Sequence, residues 1–186
     1  MPGVALGALP VPVGVFGKLP GRGDFLARDL DPAFTDVWHA WLARELPQAR
    51  RQLADRFLPA YLQAPIWRFA LRGGVAGPEA VTGVMIPSLD AVDREFPLTL
   101  ATHGSLAAPG WYEAVEELAL AALAEDWQAE SWLTALAALA PSEAAETPGS
   151  SVRFWSDGSP FVAPGTLVFA ALPAGADFRR LLVDSP

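Results

Sequence analysis

With 186 residues, of which 52% are hydrophobic and 18% charged, the chain suits one compact folded unit rather than a disordered tail. It holds no cysteine, which excludes disulfides, thiol catalysis and cysteine-bound zinc or iron–sulfur centres and fits a reducing, cytoplasmic setting. The net charge of -8 is concentrated, because residues 111–146 carry eight acids and no base, and no compensating basic run invites nucleic acid.

Proline at positions 2, 10 and 12 interrupts the uncharged start, and no Lys or Arg precedes its apolar part, which argues against a signal peptide. Residues 1–12 read as a flexible N-terminus. No run approaches 18 uninterrupted apolar residues, so membrane insertion is not expected. A short strand over 11–16 runs into the glycine-rich loop Gly17-Lys18-Leu19-Pro20-Gly21-Arg22-Gly23-Asp24. A helix follows, capped by Asp31 with Pro32 in its first turn, and Phe34, Val37, Trp38, Trp41 and Leu42 recur on one face. Pro47 is expected to end or bend it. Glu45 falls near the apolar stripe, so either the helix has left the core there or an arginine meets it.

A second helical stretch over 48–62 presents Leu53, Phe57, Leu58, Tyr61 and Leu62. The period then changes to two over 66–71, 81–86 and 96–101, with Gly73-Gly74 and Pro87-Ser88 as turn chemistry, although Pro97 weakens the last of these ladders. Two Ala- and Leu-rich helices over 111–123 and 131–140 come next. A loop, strands over 152–155 and 166–171, and a short stretch with Phe178, Leu181 and Leu182 complete the chain. The order implies a single α/β domain over 1–186, a sandwich whose mixed, partly antiparallel sheet is flanked by helices.

Catalytic chemistry has no foothold in the pattern. The two histidines, His39 and His103, are far apart, His39 is most simply an exposed residue, and no metalloprotease, calcium-loop or nucleophile-elbow motif occurs. No cofactor or metal is expected. Gly17-Lys18 lacks the order of a phosphate loop, yet Lys18 is the sole lysine, and glycines beside Arg22 would let backbone N–H groups approach an anion. The same loop reads equally as a tight turn in which Arg22 and Asp24 satisfy local partners. Asp90 and Arg94 are spaced to form an ion pair that fixes the loop before the third strand. The acidic block offers either two solvated helix faces or a docking surface on Glu113, Glu116 and Glu117.

Six blocks occur in order: Gly17-Lys18-Leu19-Pro20; Arg22-Gly23-Asp24-Phe25; Trp38 with Trp41-Leu42; Ala64-Pro65-Ile66-Trp67-Arg68-Phe69; Gly83-Val84-Met85-Ile86-Pro87-Ser88; and Arg94-Glu95-Phe96-Pro97-Leu98-Thr99. Together they resemble the TagF (ImpM) family of type VI secretion-associated proteins, most strongly over residues 14–103. The resemblance implies a non-enzymatic, post-translational negative regulator of secretion. It would act in the cytoplasm by binding a forkhead-associated scaffold protein. The resemblance does not say where; the residues themselves offer two contact surfaces, the loop cluster of Lys18, Arg22, Asp24, Asp90 and Arg94 or the acidic face. A small-ligand sensor for an anion or nucleotide, or a hydrolase, built on the loop 17–24 is the competing class.

Overall fold

The computed structural model describes residues 12–20, 25–104, 107–124, 129–139 and 152–184. Seven strands form one sheet: β1 (Gly14–Gly17), β2 (Leu26–Arg28), β3 (Trp67–Leu71), β4 (Val81–Ile86), β5 (Leu98–His103), β6 (Val152–Ser156) and β7 (Gly165–Phe169). Their order is β2-β1-β5-β4-β3-β6-β7. Every neighbouring pair is antiparallel, so the α/β layering expected from the sequence forms with antiparallel pairing throughout instead of in part. Pro97 stands immediately before β5, where its missing N–H removes nothing from the ladder that begins at Leu98. β2 has no counterpart in the sequence reading. Three residues, two of them exposed, carry too little alternation to register.

Side-chain alternation divides the chain into two cores. On one face, Trp67, Phe69 and Leu71 of β3, Met85 of β4 and Phe154 of β6 meet α1 (Pro32–Leu53), α2 (Phe57–Leu62) and α5 (Ala176–Arg179). On the other, Val15, Val84, Ile86, Leu98 and Leu100 meet α3 (Pro109–Leu123) and α4 (Ala129–Ala138). The result is a helix layer on each side of the sheet.

Asp31 caps α1 by accepting the Ala33 N–H at 2.8 Å, and its own N–H donates to His103 Nε2 at 3.1 Å, tying the helix start to the end of β5. The helix does not stop at Pro47. Phe34, Trp38, Trp41, Leu42, Leu46, Ala49 and Leu53 form one buried stripe on both sides of the proline, and each large side chain removed from water contributes about 1.5–3 kcal/mol, enough to hold the helix through one missing hydrogen bond. Val37, expected in that stripe, is exposed, as are Leu58 and Leu62 of the next helix. A 3-10 turn over Ala54–Arg56 separates α1 from α2, so the helical stretch read over 48–62 is the end of one helix and the whole of another. Indole N–H groups fasten the rest: Trp38 donates to Thr99 Oγ1 at 2.9 Å, Trp41 to the Pro173 carbonyl at 2.7 Å and Trp67 to the Leu181 carbonyl at 2.9 Å. The last two hold the C-terminal stretch against α1 and β3.

Candidate functional site

The corner where β1 ends and the β4–β5 connection passes over it gathers Lys18, Asp90 and Arg94 from among the charged residues expected to matter. Gly17 turns the chain there with φ +139°, and a Cβ on it would lie 2.2 Å from the Pro97 carbonyl oxygen. That turn sends Lys18 inward. It is 7% exposed, and its ammonium donates to Asp90 Oδ2 at 2.6 Å. The Asp90 side chain is wholly shielded from solvent. Arg94 Nε donates to the same oxygen at 2.6 Å, while Asp90 Oδ1 accepts the backbone N–H groups of Val92 at 3.0 Å and Arg94 at 2.9 Å. Burial by itself would raise the Asp90 pKa, but the Lys18 ammonium, the two backbone donors and the Arg94 guanidinium outweigh it and hold the carboxyl well below its usual range.

Ser88 locks the loop from behind. Its Oγ donates to the Lys18 carbonyl at 2.7 Å, its carbonyl accepts from Tyr61 Oη at 2.8 Å, and its N–H donates back to that oxygen at 3.1 Å. Burial pushes the Tyr61 phenol far up, against the opposing effect of its bond to Ser88 and with the Glu95 charge adding to the rise. Glu95 itself is paired with Arg50, whose guanidinium lies 4.7 Å from the Phe57 ring centre.

Around this buried core lies an exposed rim. Val92 at the loop tip is 65% exposed and Phe25 is 41% exposed. Phe25 packs edge-on to Phe96 at 4.7 Å between ring centres, the Lys18 ammonium lies 5.3 Å from the Phe25 centre, and exposed His39 stacks on Phe96 at 5.6 Å. His39 is therefore an exposed residue, as its place off the apolar stripe suggests, with an aromatic neighbour that spacing within one helix could not reveal.

Lys18, Asp90 and Arg94 are thus brought together, and the Asp90–Arg94 pair forms as its spacing predicts. Arg22 and Asp24 lie outside the described residues. The anion cradle imagined for Lys18 meets a filled position: Asp90 already occupies its ammonium. Ser88 and Tyr61 were missed as members of the site, because Pro87-Ser88 signals only a turn and Tyr61 sits in an apolar helical pattern.

The acidic face divides. Glu113 and Glu117 are exposed, but Glu116 is half-buried and engages Arg68 at 2.5 and 3.1 Å, with Asp157 also on Arg68 at 3.0 Å. Glu45 is met by an arginine, as one of the two expectations had it: Arg44 Nε donates at 2.7 Å and the Gly175 N–H at 2.8 Å, while the helix stays in the core. Among the described residues, no group of His, Asp and Glu could hold a metal ion, and no helix is long and apolar enough to cross a membrane.

The four blocks Gly17–Pro20, Phe25, Pro87-Ser88 and Arg94–Thr99, dispersed over some 80 positions, meet in this one corner. Residues 14–139 match the family described as TagF N-terminal domain, Type VI secretion system-associated. Among solved structures, the crystal structure of PA0076 from Pseudomonas aeruginosa PAO1 is similar with a TM-score of 0.82 and 35% identity, covering 92% of this chain and 94% of that one. No curated protein matches. The chain belongs to the TagF N-terminal domain family of type VI secretion system-associated proteins.

Proposed function

We propose that this protein restrains type VI secretion from the cytoplasm by stoichiometric binding of a forkhead-associated scaffold protein, without chemical turnover, and that the rim of the Lys18–Asp90 corner is its contact surface. One observation supports this most. Asp90 receives four donors, two on each oxygen, so the carboxylate has no open position for a substrate proton and acts as the strut of a loop. The loop presents Val92 outward and Phe25 is exposed over Lys18, so the rim offers apolar anchors with a charged margin in Arg94 and Asp93. Exposed Glu113 and Glu117 on α3 are the second surface of suitable chemistry, since forkhead-associated domains read anionic phosphothreonine with basic residues.

Co-expression with a forkhead-associated scaffold protein of the secretion system, followed by size-exclusion chromatography, tests the class. A joint peak is expected, lost in Phe25→Asp/Val92→Asp and retained in Glu113→Lys/Glu117→Lys if the rim is the contact. The reverse pattern moves the contact to α3. No joint peak with folded protein overturns the reading.

A further inference from the structure

β7 is the outermost strand of the sheet, paired on one side with β6. Among the described residues no other segment hydrogen-bonds to its outer edge. Gly165, Thr166 and Val168 are exposed, Val168 to 60%. Soluble proteins guard such edges with charge, proline or a bulge, and the sequence Gly-Thr-Leu-Val-Phe carries none of these.

We infer that this edge joins two copies of the chain in a two-fold symmetric antiparallel pair centred on Leu167. Three features of the strand favour a second copy as the occupant. A register centred on Leu167 sets Thr166 of one copy against Val168 of the other, so a pair of exposed β-branched residues forms twice. The strand is uncharged, so self-pairing opposes no like charges. The flanks are complementary: Arg180, whose guanidinium also meets Asp177 of its own chain at 3.5 Å, sits over the Phe169 ring at 5.6 Å, and Asp184 accepts the Ala163 N–H at 2.6 Å beside Gly165. Because antiparallel pairing brings the Phe169 end of one strand to the Gly165 end of the other, exposed Arg180 faces exposed Asp184 of the second copy at both ends.

Sedimentation analysis over a range of protein concentrations tests this with the whole chain. Five residues a side make a small interface, so a dimer that dissociates on dilution is expected. Thr166→Lys/Val168→Lys places like charges opposite each other at both pairs and raises the dissociation constant by at least about tenfold. Both positions are exposed, so the helical circular dichroism signal of the monomer is retained. Arg180→Asp weakens the dimer and Arg180→Asp/Asp184→Arg restores it. A wild-type monomer up to roughly 1 mM overturns the inference and leaves the edge to a strand of some other polypeptide. A dimer indifferent to all these variants overturns it equally, by placing the contact elsewhere.

Discussion

Lys18 and Asp90, 72 positions apart, meet at 2.6 Å with both side chains shielded from solvent, and the loop that carries Val92 hangs from that bond. Breaking one side of a buried pair leaves the other charge poorly compensated, so the two cations on Asp90 should not behave alike. Arg94, with a 61% exposed side chain, is expected to cost less than about 1 kcal/mol on replacement by alanine. Lys18→Met is expected to cost several times more, measured as urea midpoints of the two variants. Equal losses would mean that burial of the ammonium contributes nothing.

The same carboxylate predicts an acid-dependent term. Its folded pKa lies below the ordinary 3.8, so its stabilisation is complete above that value and drains away as the pH falls through it towards the folded value. The stability gap between wild type and Asp90→Asn is therefore expected to be flat above about pH 5 and to narrow in more acid solution. A gap that widens on acidification would show the sign to be wrong.

Gly17 is constrained by both conformation and space. Alanine there would need φ +139° and would drive a methyl into the Pro97 carbonyl, so Gly17→Ala should lose about 1–3 kcal/mol or more and loosen the Lys18 contact. Faster amide exchange around Ser88 and Arg94 is the accompanying signature.

Pro47 sits exposed inside α1 and withholds one donor from the helix. Pro47→Ala should stabilise the protein, by about 1–3 kcal/mol on the interior proline penalty. A thermal melt that moves down instead would assign the proline ring a packing role against Phe57 and Phe96.

Trp38 donates its buried indole N–H to Thr99 Oγ1, coupling α1 to the centre of the sheet. Trp38→Phe keeps an aromatic ring but orphans the hydroxyl and leaves a void, with an expected loss of about 2–4 kcal/mol. Thr99→Val in the same background should recover part of that loss, because it removes the orphaned group.

Amino-acid order alone determined the elements whose signal is local. The strands over 81–86 and 152–155, the capped start of α1 at Asp31 and, Val37 apart, the apolar face of α1 follow from period, capping and turn chemistry between near neighbours. The i, i+4 spacing of Asp90 and Arg94 was legible for the same reason. Only tertiary structure decided that α1 runs through Pro47, that all strands pair antiparallel, that Glu116 is spent on Arg68 and that Lys18 is buried on Asp90. Each of these depends on burial against, or attraction to, a group brought near by the folded chain, and such energies leave no trace in the spacing of adjacent residues.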